Sequence, residues 1–418
     1  MFLFFYFIFD FIVFQNLLGR FQSYWSYLDE FITIFIVIFS GIALLNKKRR
    51  PSLFNIEKLI IIMYFCFIGI GLISTKINEI QPVAIARYKD ILAISKFVVM
   101  YIGGLILSND INKELLLSKL AKKSRIYITI IFICGILEEL VGIGMSGEIR
   151  YGIKCYKFMF SHPTYLVSAM GMLFSVILAN KDKKKYDKFI IFEALFVILI
   201  TVRNKGFTLI LAYIIIGLIL KYKESIKISH LLLILIVGFI MSSEKIKEVF
   251  YYGLTAARPA LYIVGLKIAR DYFPLGSGFG SFSSSISGEY YSPIYSQYGI
   301  NNVMGLMENS YGYIGDTFWP YIYGQFGIIG FMFFVVILVC IYISIKQRYF
   351  YSYDKKVAAF TIFAYIIIAS GAESIFTDSI GTYMFLIMSV YLGKNLVNFK
   401  DEKYKDANKI GGIYELYS

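Results

Sequence analysis

Apolar runs of membrane-spanning length recur along this chain, and nothing constrains its fold more. A helix that crosses a bilayer needs about 20 mostly apolar residues, with a lower limit near 17. Runs of this kind fall near 2–18, 29–45, 58–74, 91–107, 126–144, 163–179, 188–203, 206–220, 228–242, 324–345, 356–370 and 380–396. Within hydrocarbon, backbone N–H and C=O groups must bond inside the protein, so single apolar runs become helices. The expected fold is all-α: one polytopic membrane bundle over residues 1–418 with about 12 spans. Only 17% of the residues are charged, against about 25% in soluble domains. The run 2–18 contains Asp10 and lacks both a basic start and a small-residue cleavage site, so it reads as the first span.

A net charge of +14 would suit a nucleic-acid partner, but its distribution argues against one. Basic residues cluster between the apolar runs, at 47–50, 119–125, 181–188, 221–227, 346–356 and 394–409. With twelve spans all six clusters fall on one side, which the positive-inside rule makes cytoplasmic, together with both termini. The other side then receives the longest connection, 243–323, between the ninth and tenth spans. It is rich in Gly, Ser and Tyr and reads as an ordered outer loop with short helices. Loops of such length are functional or disordered, and the aromatics argue against disorder. The cysteines, Cys66, Cys134, Cys155 and Cys340, have no metal-site or disulfide spacing.

Outer loops should be poor in cations, yet Arg150, Lys154, Lys157, Arg203, Lys205, Arg258, Lys267 and Arg270 all map there. Singly, each can snorkel to lipid head groups. As a set they suit an anionic, phosphate-bearing lipid, for which the planar guanidinium is well shaped. Arg203-Asn204-Lys205-Gly206 sits at the turn of a tight helical hairpin. Charges there are either a plain exposed turn or, within the membrane, costly and usually functional. Ala257-Arg258-Pro259 opens a helical stretch to Tyr272, with Pro259 in its first turn. Leu261, Val264, Leu266 and Ile268 would give this helix an apolar surface, and Lys267 and Arg270 a shared basic face, as in an interfacial helix. Gly276, Gly278 and Gly280 allow tight turns or close approach to a ligand, the turn being the stronger reading. Gly324, Gly327 and Gly330 would line one helical face for close packing. Asp316, Glu308, Glu373 and His162 are the outward-mapping groups able to bind or move a proton. No phosphate-binding glycine loop, metal-ligand cluster or serine elbow occurs, so no cofactor is expected.

Four segments, taken in order, resemble a known family over roughly residues 120–395. They are Phe160-Ser161-His162-Pro163-Thr164; Thr201-Val202-Arg203-Asn204-Lys205-Gly206; Ala257-Arg258-Pro259 leading to Phe273-Pro274-Leu275-Gly276-Ser277-Gly278-Phe279-Gly280; and Asp316-Thr317-Phe318 leading to Gly327-Ile328-Ile329-Gly330. The chain resembles the O-antigen and capsular polysaccharide polymerases, which share a superfamily with the O-antigen ligases. The resemblance implies joining of oligosaccharide repeat units carried on undecaprenyl diphosphate, outside the bacterial cytoplasmic membrane, without metal or nucleotide. It implies a glycan-carrier substrate in the bilayer, with a flippase and a chain-length regulator as candidate partners. By the same resemblance, Arg203, Lys205 and Arg258 would meet the diphosphate, with Arg270 a weaker candidate. The ligases carry a His in the long loop near the position of Asp316. This chain has only His162 and His230, which favours a polymerase and leaves Asp316, then Glu308, as the base. A flippase or transporter, a ligase and a non-catalytic scaffold are the competing readings.

Overall fold

The computed structural model describes residues 1–18, 25, 27–46, 53–109, 111–222, 226–227, 229–230, 251–348 and 353–393. The expected ninth span, 228–242, lies outside the described residues apart from 229–230, as do the basic segments 47–50 and 394–409. Fourteen α-helices are described: α1 (Phe2–Leu18), α2 (Leu28–Leu45), α3 (Asn55–Asn78), α4 (Ala84–Ser108), α5 (Lys113–Val141), α6 (Pro163–Ala179), α7 (Asp187–Ile200), α8 (Asn204–Tyr222), α9 (Ala257–Asp271), α10 (Ser285–Glu289), α11 (Ile294–Gln297), α12 (Phe318–Arg348), α13 (Tyr353–Ala369) and α14 (Ser379–Leu392). Five of them, α2, α3, α4, α8 and α12, are long and apolar enough to cross a membrane, and α1, α6 and α14 are apolar but shorter. Large side chains on the bundle's outside are apolar: Phe7, Phe31, Phe65 and Phe189 are each more than half exposed. In water such a surface would drive association, whereas lipid accommodates it.

Helix α12 packs along α3, α4 lies between α2 and α14, and α13 contacts both α6 and α8. One end of the bundle carries Arg348, Arg125 and Lys355, each held by an acid. Arg348 and Glu57 are fully buried partners, and Glu57 also accepts from Ser344 Oγ at 2.8 Å. Arg125 grips Asp187 with two nitrogens at 2.6 and 2.9 Å, and Lys355 meets Glu114 at 2.6 Å. At the opposite end, the segment 253–316 forms a cap with a core of its own, including Leu261, Val264, Ile268, Phe282, Tyr295 and Ile314.

That cap is stitched to the bundle where α12 breaks. Gly327 has φ 61° and ψ −164°, so α12 is two helices joined at a kink. The helix break changes which groups bond to the Gly324 and Gln325 carbonyls. They accept instead from Ser277 N–H (3.0 Å) and Gly278 N–H (2.8 Å) of the cap. Gly280 N–H reaches Asp90 Oδ2 (2.8 Å) and Gln325 Oε1 (3.1 Å), and Phe279 N–H reaches Thr75 Oγ1 (2.8 Å).

Several expected features are corrected. Gly324, Gly327 and Gly330 share no helical face, because the backbone leaves the helix at Gly327. Gly276 and Gly278 admit protein backbone, not a ligand: an added Cβ would lie 2.4 Å from Gly327 N and 2.6 Å from Thr75 Cα respectively. Helix α9 turns Leu261, Val264 and Ile268 into the cap core and leaves Leu266 exposed, so most of its expected apolar surface is taken up by packing. The connection expected at 74–90 shrinks to five residues, 79–83, because Ser74, Thr75, Asn78 and Asp90 bond to the cap and stay helical. Lys119 to Arg125 lie on α5 itself, not between helices. Finally, a two-stranded antiparallel hairpin, β1 (Ser146–Arg150) and β2 (Ile153–Tyr156), interrupts the all-helical pattern.

Gly327→Ala tests the seam. An added Cβ would sit 2.2 Å from Pro274 O on a backbone with positive φ. At Gly152, where φ is +79° and nothing lies within 4 Å, alanine brings only the backbone strain. In thermal unfolding of the purified protein, Gly327→Ala should lose about 1–3 kcal/mol more than Gly152→Ala through overpacking. Equal losses would mean the seam yields.

Candidate functional site

Two sharp turns place the charged groups at the cap end. Tyr151 and Gly152 both have positive φ (51° and 79°), the two-residue turn that suits the twist of a β-hairpin. The hairpin presents Glu148 and Arg150. Between α7 and α8 the chain reverses over Thr201-Val202-Arg203, with Val202 at φ 51°. Arg203 O accepts from Gly206 and Phe207 N–H (2.8 and 3.1 Å) and starts α8, so Lys205 stands in its first turn. Helix α6 opens with Pro163, and His162 Nδ1 accepts from Thr164 N–H at 3.2 Å as its cap.

Arg203 is only 5% exposed, and its Nη2 meets both the Glu148 carboxylate and His162 Nε2, the latter at 3.1 Å. A neutral imidazole has one acceptor nitrogen, yet Thr164 N–H and Arg203 Nη2 approach its two nitrogens as donors. Arg203 Nε–H is buried and finds no partner among the described residues. The pocket around Arg203 therefore has more donors than acceptors. Burial, and then Arg203, hold the His162 pKa below its ordinary value. Burial raises the Glu148 carboxyl, but Arg203 and Arg150 outweigh it and keep it below the usual range.

A line of contacts joins this pocket to the cap. Lys205 pairs with Glu373, and next to it Ser374 Oγ donates to Gly315 O (2.6 Å). Adjacent Asp316 accepts from Arg258 Nη2 at 2.9 Å, and Tyr262 OH donates to Gly371 O at 3.1 Å. So Arg203, Lys205, His162, Glu373, Asp316 and Arg258, spread over more than 200 residues of sequence, form one rim. Lys267, Arg270 and Glu308 stay apart from it. Lys267 follows Arg258 by nine residues, about two and a half helical turns, and so faces the opposite way. Arg270 pairs with Asp271 at 3.1 Å, and Glu308 is exposed with no ion pair among the described residues.

Below the rim lies a cavity of about 480 Å³. From α1 it receives Gln15 and Asn16, from α2 Asp29 and Glu30, and from α4 Lys96. Ser161 and Tyr165 come from the start of α6, and Thr377, Asp378 and Ser379 from the start of α14. Lys96, 5% exposed, donates to Asp29 at 2.6 Å and also pairs with Glu30. Asp378 caps α14 through Ser379 N–H at 2.8 Å. Burial, and next the charge of Glu373, push its carboxyl up to about 6. The charged groups of this cavity were missed by sequence reasoning. One signal was present: Lys96 is the only charged residue in the run 91–107, and an ionisable side chain inside a span marks a site. Compared with known proteins, the chain matches no family model and no curated sequence.

Replacing Lys96 by Met removes the one cation of the cavity and leaves Asp29 and Glu30 facing each other in a desolvated setting. Stability should fall by about 3–5 kcal/mol, the usual loss when a buried ion pair is halved. Adding Asp29→Asn and Glu30→Gln should recover most of it, as read by thermal unfolding in detergent. No recovery would show that Lys96 acts through packing alone.

Proposed function

We propose that this chain is a membrane glycosyltransferase of the polysaccharide-polymerase type. It would join repeat units carried on undecaprenyl diphosphate at the outer face of the bacterial cytoplasmic membrane. The observation that carries the reading is convergence: the segments around His162, Arg203, Arg258 and Asp316, which bear the family resemblance, meet at one rim above a polar cavity. Orientation follows the described basic residues. Lys119 to Arg125, Lys181 to Lys188 and Lys346 to Lys356 flank the helix ends remote from the rim, which by the positive-inside rule makes that end cytoplasmic. The proposed topology keeps twelve crossings with both termini inside.

The chemistry has two demands. A sugar hydroxyl of one chain attacks the anomeric carbon of another, and the carrier diphosphate leaves with its negative charge. Fixed cations must stabilise that charge where it builds up. Arg203 suits this role because it is buried and carries an unpartnered Nε–H. A phosphate oxygen entering between Arg203 and His162 would accept from both and relieve the excess of donors. Lys205 and Arg258 extend the cationic track, each held by an exchangeable carboxylate. A base is also required. Asp316 and Glu308 are the sequence-based candidates, and Asp316 is occupied by Arg258.

The test is glycan length in the natural host. Deleting the gene should leave single repeat units on the carrier at the outer face. Arg203→Ala and Arg258→Ala, expressed at wild-type level in the membrane, should each cut polymer formation by about 10²–10³-fold. Units trapped on the cytoplasmic face would instead identify a flippase. Normal chain lengths in both variants would remove the diphosphate assignment.

A further inference from the structure

The cavity beneath the rim has features that diphosphate binding does not use. Its volume of about 480 Å³ falls within the ~300–1,000 Å³ of small-molecule sites. Neutral donors and acceptors from Gln15, Asn16, Ser161 and Thr377 line it, which is chemistry suited to sugar hydroxyls and not to an anion. Its charged groups are three carboxylates, Asp29, Glu30 and Asp378, against the single cation Lys96. Two of those carboxylates are committed to Lys96. Asp378 is different. It is exposed to the cavity although protein surrounds it, its Oδ1 is engaged by Ser379 N–H, and no described residue bonds to its Oδ2.

We propose that this cavity is the acceptor-sugar subsite and that Asp378, not Asp316, is the group that takes the proton from the attacking hydroxyl. The inference rests on the polymerase reading. In the step, the hydroxyl proton passes to Asp378 Oδ2 as the oxygen bonds to the anomeric carbon of the donor. The bond from that carbon to the carrier diphosphate breaks, and the leaving group takes the electron pair, facing Arg203 and Lys205. Tyr165 lines the cavity, near enough for Asp378, Glu373 and Asp316 all to act on it. Asp316 is less suited, being bonded to Arg258 and lining no part of the cavity.

The charged and titratable groups around Asp378 are consistent with a base that is poised and not permanently ionised. Glu373 from the preceding turn and Asp29 from α2 oppose its ionisation, and Lys96 from α4 favours it. Glu30 from α2, Tyr165 from α6, Tyr365 from α13 and Tyr383 from α14 complete the surroundings. A carboxyl pushed up to about 6 loses its proton within the range where a general base works best, near the operating pH.

Asparagine caps helices as well as aspartate, so Asp378→Asn keeps the start of α14 while removing the base. The assay uses the full chain in lipid nanodiscs, with lipid-linked repeat units extracted from the host lacking this gene. Wild type should show an acid limb in kcat/KM centred near pH 6. Asp378→Asn should lose that limb and drop kcat by about 10²–10⁴-fold with KM little changed. A wild-type rate with the limb intact in Asp378→Asn would overturn the assignment. So would disappearance of the limb in Asp316→Asn alone. Failure of the wild type to make any polymer would instead sink the polymerase reading on which the assignment stands.

Discussion

The break in α12 at Gly327 is the constraint on which the functional end depends. In a helix buried at membrane depth, a carbonyl without a donor costs several kcal/mol. At the kink those of Gly324 and Gln325 accept from the N–H groups of Ser277 and Gly278. This works only if two backbones approach within a distance that excludes side chains, which is why Gly276 and Gly327 face each other. The Gln325 side chain then completes the seam, accepting from Gly280 N–H and donating to Phe282 O at 2.7 Å. Helix α9 with Arg258, and the turn with Asp316, are carried by this cap. Their position relative to Arg203 is therefore set by this seam together with the rim bonds of Ser374 to Gly315 and Tyr262 to Gly371.

The charges divide into two zones of opposite sign. The rim sets four cations, Arg150, Arg203, Lys205 and Arg258, against three carboxylates, Glu148, Glu373 and Asp316. The cavity beneath sets three carboxylates against Lys96. A glycosyl transfer separates charge in this sense, because the departing diphosphate becomes more negative while the attacking hydroxyl loses a proton. If the chain carries out the proposed transfer, groups of each sign held at the two ends of that path would lower its barrier.

The long apolar helices were legible because lipid imposes a length and a composition that sequence displays directly, and five of those described have both. Their ends were less so, and the reason is specific. Ser74, Thr75, Asn78 and Asp90 look like loop residues until the cap supplies partners for them from 190 or more positions away. The hairpin at 146–156 was written in Tyr151-Gly152, but a single primed turn between short strands is a faint local signal. Of the rim, the cations and the acids Asp316 and Glu373 were read from the sequence but their pairing was not, and Glu148 was missed, since it meets Arg203 only through the fold. Lys267 and Arg270 were read with Arg258 because all three share α9, yet helical rotation turns them away from the rim. The cavity charges come from α2, α4 and the start of α14, so no local pattern could assemble them.

The exposure of each partner separates the rim cations by what a substrate anion could do to them. Arg203 is fixed, with its side chain 6% exposed, while its partner Glu148 is 47% exposed. In the proposed reaction an arriving phosphate would take over the guanidinium, and the half-exposed Glu148 would be solvated in exchange. The exchange leaves no buried charge unpaired, which is the condition that makes such pairs expensive to open. Lys205 and Glu373 show the same asymmetry at 18% and 31%. Arg258 and Asp316 reverse it, with the arginine more exposed at 47% than its acid at 34%. Their pair is a surface bridge of small intrinsic strength. In the proposed reaction Arg203 and Lys205 would form the seat for the diphosphate, and the more exposed Arg258 would meet it from the side of the cap.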